Sequence, residues 1–275
     1  MIKRILVGLG DRAHSISATQ YAIELAKQRD ARLTAVTIVD ADRLSNVGSV
    51  PIGGSQAAQE LREFRFEITR EIIEEAVRDF KEACEKSGVP YDVVYEEGEP
   101  YEHMISAARY HDLKIFGLRH LFEHGVIDEP PDELVRMVQA GIRPVLAVSE
   151  QHRPIRRVVL AYSGSMESSE TMRRFVQLNL WPKMLLRIVT FSDSEETGDQ
   201  RLQDAAAYCR DHGLQPELEC VSGSAKDQLL PYAQNWDADL IVVGNSAKNL
   251  LVRKLFGETA LYMIRHADRP LFLCQ

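Results

Sequence analysis

At 275 residues the chain can form one large domain or two of ordinary size, and 45% hydrophobic with 27% charged residues is the mix of a globular protein. A formal charge of −8 argues against nonspecific binding to nucleic acid, which calls for a basic surface, so nucleic acid is not an expected partner. The four cysteines (Cys84, Cys209, Cys220 and Cys274) are scattered and form no CxxC pair, so they predict packed thiols, with neither a metal cluster nor a disulfide framework.

The chain opens with the short apolar run Ile5-Leu6-Val7, too short for a signal peptide. Nothing approaches the roughly 18 apolar residues that cross a bilayer, so a cytoplasmic protein without a membrane partner is expected. The run reads as a buried strand leading into the turn Gly8-Leu9-Gly10-Asp11. A helical pattern carrying Tyr21, Ile23, Leu25 and Ala26 follows, then a strand from Leu33 to Val39. Residues Ala41 to Ser55 are rich in glycine and serine, and within them Gly48 to Ser55 reads as a surface connection, with a lid over a first-half pocket as the sharper alternative. From about Gln59 to Lys86 apolar residues recur at helical spacing, until Ser87-Gly88-Val89-Pro90 stops the helix. Leu113 to Gly117 reads as a strand ending in glycine, and Arg143-Pro144-Val145-Leu146 as a closing strand.

The same order then recurs. Val158-Val159-Leu160-Ala161 mirrors the first strand, and Met172, Phe175, Val176 and Leu178 the first helix. Leu185 to Phe191 mirrors the second strand, Leu240 to Gly244 the glycine-ended strand, and Arg269-Pro270-Leu271-Phe272 the closing one. Matched positions lie about 152 apart near the first strands but 127 apart at Gly117 and Gly244. The first half therefore carries an insert between its second and third strands. Strands alternating with helices predict an α/β fold: two tandem doubly wound domains, each a five-stranded parallel sheet flanked by helices. The boundary is expected at the polar linker Glu150-Gln151-His152-Arg153-Pro154, giving domains 1–150 and 151–275.

This repeat resembles the universal stress protein family in its tandem two-domain form. The segments that carry the likeness are Asp239-Leu240-Ile241-Val242-Val243-Gly244 and His266-Ala267-Asp268-Arg269-Pro270-Leu271-Phe272-Leu273. The resemblance implies a stress-response role, and association of the halves through Val145–Val148 and Leu271–Cys274 as an internal pseudo-dimer, with a homodimer as a further option. The family's ATP-binding branch carries a phosphate loop: Gly, two residues, Gly, nine residues, Gly, then Ser or Thr. Here the second half reads Gly244-Asn245-Ser246-Ala247, nine residues, then Gly257-Glu258-Thr259. The spacing is kept, while Ala247 replaces a glycine and Glu258 the hydroxyl residue. Two like unit charges 4 Å apart cost roughly 4 kcal/mol at an effective dielectric of about 20, so Glu258 weakens a triphosphate site. On the adenine side the resemblance points to Ala161, Tyr162, Ser163 and Gly164, with Ser163 where the family has Asp, and to backbone near Ile38 and Thr190. In the first half Asp11 is displaced by one position, and Gly117 is followed by Arg119, His120 and an acidic, proline-bearing stretch that suits no phosphate.

Sharper alternatives are weaker. Gly8-Leu9-Gly10 with Asp40 hints at a dinucleotide fingerprint but lacks the third glycine. His120 and His124 sit at helical spacing for a metal pair, with no third ligand identified. Ser163-Gly164-Ser165 lacks the flanks of a nucleophile elbow. The expected function is thus a stress-response protein binding ATP or another adenine nucleotide in its second half, with no catalytic residue assigned and weak ATPase activity at most. The alternative is a member that binds no ATP and serves as a protein-interaction or other small-ligand module.

Overall fold

The computed structural model describes residues 2–39, 41–51, 53–97, 100–118, 133–139, 141–142, 144–244 and 257–274. The chain divides into two compact units: 2–137 with 150–152, and 138–149 with 153–275.

In the N-terminal unit the order is β1 (Arg4–Gly8), α1 (Arg12–Arg29), β2 (Arg32–Val39), α2 (Ala41–Ser45), α3 (Ser55–Ser87), β3 (Tyr91–Glu97), α4 (Pro100–Ala108) and β4 (Leu113–Gly117), with α5 (Glu133–Gln139) following. The strands run parallel in the order β3-β2-β1-β4. β1, β2 and β4 are largely buried on both faces, so Ile5, Leu6, Val7, Leu33, Ala35, Ile115 and Phe116 read as nearly continuous apolar runs, whereas the edge strand β3 exposes Asp92 and Tyr95. α1 starts at Asp11, whose carboxylate accepts from the His14 backbone N–H and contacts His14 Nδ1 at 2.7 Å. It ends on Asp30 in the left-handed conformation.

α3 starts four residues before the expected position. It stops as Ser87-Gly88 predicts: Gly88 takes φ 66°, its N–H donates to Glu85 O, and the N–H of Val89 donates to Cys84 O. The short α2 was not legible within the glycine- and serine-rich insert. Arg62 and Arg65 of α3 donate to the carbonyls of Ser45 and Asn46, tying the insert back to its own helix. The linker residue His152 lies with this unit, its ring 4.3 Å from that of Tyr21.

In the C-terminal unit β6 (Arg157–Ala161), α6 (Met166–Leu178), β7 (Leu185–Phe191), α7 (Glu195–Asp211), β8 (Glu217–Val221), α8 (Ala225–Asn235), β9 (Leu240–Gly244), α9 (Glu258–His266) and β10 (Leu271–Cys274) repeat the plan. The five strands are parallel in the order β8-β7-β6-β9-β10. β5 (Val145–Val148) also belongs to this unit, pairing antiparallel with β10, with Leu146 opposite Phe272. The two closing strands thus meet as expected.

The motif that marks each glycine-ended strand has a structural cause. Asp112, just before β4, accepts from the backbone N–H groups of Lys3 and Arg4 at 2.8 and 3.0 Å. Asp239, just before β9, does the same for Arg156 and Arg157 at 2.8 and 2.9 Å. One carboxylate oxygen satisfies two donors at the start of the neighbouring strand, which fixes the register at the other end of the sheet from the loops. The Arg-Pro motif is equally structural in the second half. The buried guanidinium of Arg269 donates to the carbonyl of Ala233 in the last turn of α8, to that of Ala238 in the turn before β9, and to Asp268.

Candidate functional site

In an open parallel sheet of this order, ligands bind outside the carboxyl ends of the strands where the chain changes direction, here between β6 and β9. A cavity of about 70 Å³ lies there. Ala161, Tyr162 and Ser163 reach it from the end of β6, Phe191 from β7, and Val243 and Gly244 from β9. Ser168 of α6, Ala225 at the start of α8 and Thr259 in the first turn of α9 complete the lining.

The turn after β6 is a cluster of hydroxyls. Ser163 Oγ lies 3.1 Å from Ser165 Oγ and 3.2 Å from Ser168 Oγ. Ser165 caps α6, accepting from the Ser168 N–H, so it is the counterpart of Asp11 in α1. The displaced first-half Asp is therefore a helix cap engaged with His14. Tyr162 is buried and its hydroxyl meets Ser169 Oγ at 3.0 Å. Gly164 is needed for its φ of 77°, and a side chain there would meet Arg201; it does not line the cavity.

Of the residues expected at this site, Ala161, Tyr162, Ser163, Gly244 and Thr259 come together around the cavity. Asn245, Ser246 and Ala247 lie outside the described residues. Gly257 caps α9 in an extended conformation and Glu258 opens that helix, its carboxylate 3.6 Å from Lys226 Nζ. The side chain of Thr190 turns away from the cavity. It is fully buried, and its Cγ2 faces Gly198 of α7, while the next residue, Phe191, lines the cavity. Successive strand side chains point to opposite faces, so Phe191 is the side chain that β7 offers the cavity, while Thr190 was named for its backbone. Ser168, Phe191 and Ala225 were not singled out from sequence. Strand parity from Ala161 would have found Phe191, whereas the other two come from helix starts whose approach to the sheet no local pattern reveals.

Gly244 has a packing reason of its own. A Cβ there would come 3.0 Å from Ser168 Cα, 3.0 Å from Thr171 Oγ1 and 3.1 Å from Glu167 O, so the glycine lets α6 approach β9. In the first half, Asp40 of the fingerprint reading and Arg119, His120 and His124 lie outside the described residues. Among the described residues there is no cluster of three metal-ligating side chains and no helix long and apolar enough to cross a membrane.

The family model for "Universal stress protein family" matches residues 1–115 and 186–275. The chain belongs to the universal stress protein family. A universal stress protein of Synechocystis, Slr1230, is 22% identical over 137 residues, covering 49% of this chain and 48% of that one. The chain's match thus spans about half the length of that relative. A crystal structure of a universal stress protein from Archaeoglobus fulgidus aligns over 99% of this chain and 96% of its own at a TM-score of 0.63 and 16% identity, which shows the shared tandem fold. A universal stress protein solved in complex with cAMP covers 45% of this chain and 98% of its own, at 24% identity and a TM-score of 0.39.

Proposed function

We propose that this universal stress protein binds an adenine nucleotide, ATP or a relative, in its C-terminal unit without efficient turnover, as a ligand-responsive component of a cytoplasmic stress response. The observation that carries this reading is the cavity at the change of direction between β6 and β9, lined by Ala161, Tyr162, Ser163, Gly244 and Thr259. Its volume of about 70 Å³ suits the edge of a base better than a whole nucleotide. Ribose and phosphates would extend outward, toward Gly257 and the N-terminus of α9, where backbone N–H groups and the helix dipole favour anions. The lining offers hydroxyls, a buried phenol and apolar side chains, which is the chemistry of holding a ligand rather than of moving protons.

Denaturing the purified protein and weighing what is released tests this reading directly. One equivalent of adenine nucleotide supports it. A clean supernatant, with no rise in melting temperature on adding ATP or AMP, removes it in favour of a member that binds no nucleotide. A ligand at 100 times its dissociation constant stabilises by about 2.7 kcal/mol, well within reach of a thermal melt.

A further inference from the structure

The N-terminal unit holds a larger cavity, about 370 Å³, away from the β1–β4 crevice. Thr37 and Val39 line it from the end of β2, Tyr95 and Glu96 from β3, and Phe66, Thr69, Arg70, Ile73 and Glu74 from α3. Thr37 and Thr69 are 2% and 1% exposed, and neither hydroxyl has a hydrogen-bond partner among the described residues. A threonine inside a helix ordinarily returns its hydroxyl to the carbonyl four residues earlier. Thr19 and Thr171 do so, to Ser15 and Glu167 at 2.7 and 2.8 Å. Thr69 does not, and its unpaired hydroxyl is buried beside the cavity with that of Thr37, as those of Ser17 and Thr190 are buried elsewhere in the fold.

The cavity is no general product of the fold. Thr37 pairs in register with Tyr95, as Thr190 does with Cys220 in the other half. There the backbone of α7 closes the space: a Cβ on Gly198 would overlap Cys220 Sγ and come 3.2 Å from Thr190 Cγ2. In the N-terminal unit α3 presents Phe66, Thr69 and Ile73 instead, and the space remains open. The lining also describes an occupant. Val39 and Ile73 make it apolar, and Phe66 and Tyr95 supply ring contacts. Arg70 disfavours a cation, while Glu74 and Glu96, the latter 2.9 Å from His103 Nδ1, disfavour an anion.

We propose that this cavity is a second ligand site, for an uncharged mono- or bicyclic aromatic molecule whose single hydroxyl or carbonyl group pairs with Thr37 and Thr69. The proposal is independent of the nucleotide reading, since its residues all lie in the N-terminal unit.

The probe is 2-naphthol, neutral at pH 7, titrated against the full chain and followed by its own fluorescence and by equilibrium dialysis. Saturable binding of one equivalent is expected, undiminished by saturating ATP or by Ser163→Ala. Thr37→Val and Thr69→Val should each weaken it about fivefold, the loss of one ordinary hydrogen bond. Ile73→Trp, which fills the space, should abolish it, and Thr190→Val should leave it unchanged. 2-Naphthalenesulfonate, the anion of similar shape, should bind at least tenfold more weakly. Thr69→Val should melt no lower than the parent, because it deletes an unpaired hydroxyl, and so separates loss of the site from loss of the fold. Uptake that does not saturate, as solvent alone on the two hydroxyls would give, overturns the proposal. So does uptake that survives Ile73→Trp, or the same affinity in both valine variants as in the parent.

Discussion

Lys226 and Glu258 face each other at 3.6 Å, each one position from a residue that lines the C-terminal cavity, Ala225 and Thr259. The carboxylate that the sequence sets against a phosphate-binding role therefore arrives with a cation beside it. Both side chains are well exposed, so the pair itself contributes little to stability. Its effect falls on an incoming anion. Glu258→Ser should free Lys226 and tighten ATP binding about two- to fivefold at low salt, while Lys226→Ala should weaken it by a similar factor. Calorimetry at two salt concentrations checks both signs, and unchanged affinity in both variants would sever this pair from the ligand.

Gly244→Ala should lower stability by about 1–3 kcal/mol even without ligand, because the atoms a methyl would meet at 3.0–3.1 Å include the backbone of α6. Thr171 adds to the rigidity of this contact, its hydroxyl proton shared between Glu167 O at 2.8 Å and Cys274 O at 2.5 Å. A thermal melt of the ligand-free variant measures the loss. An unchanged melting temperature would return Gly244 to a purely ligand-facing role.

His111 gives the N-terminal unit a dependence on pH. Its ring is buried, with Nε2 2.9 Å from Thr34 Oγ1 and Nδ1 2.6 Å from Ala107 O. Burial, aided by the nearby cations of Arg4 and Lys114 and opposed by Asp112 and the Ala107 carbonyl, holds the imidazole below its ordinary value. The unfolded chain then binds the proton more readily than the folded one. The resulting stability is fully present above the unfolded value of about 6.5 and is lost as pH falls below it. Melting temperature should drop between pH 7.5 and 5.5, and His111→Gln should flatten that drop while lowering the plateau. Parallel curves for parent and variant would contradict this.

Cys84 and Cys209 should resist alkylation in the folded protein at pH 8. Burial pushes their thiols up to about 12 and about 11, leaving almost no thiolate. Mass spectrometry after brief exposure to iodoacetamide should find Cys220, the half-buried one, modified first. Early labelling of Cys84 would mean that α3 opens from its sheet on that timescale.

How much of this was legible from sequence depends on the range over which each feature is decided. Strand positions, the stop at Gly88 and the repeat are set by residues close together, and the structure places them where local patterns do. The roles of Asp112 and Asp239 were hidden. Each motif is visible as a string, but its purpose lies in backbone donors more than 80 positions away. The site was read in part for a similar reason. Residues at the end of β6 follow from the strand itself, whereas the face of β7 is obscured because both faces of a parallel strand are buried. The cavity beside Thr69 had no sequence signal, since it is set by the packing of α3 against β2 and β3.

The attachment of β5 to β10 bears on any attempt to express the halves separately. A fragment beginning at residue 151 would leave one side of β10 without its partner, baring the backbone groups of Leu271 to Leu273 as a template for intermolecular pairing. Such a fragment should self-associate, and a synthetic peptide of residues 138–149 should suppress this by supplying the missing strand.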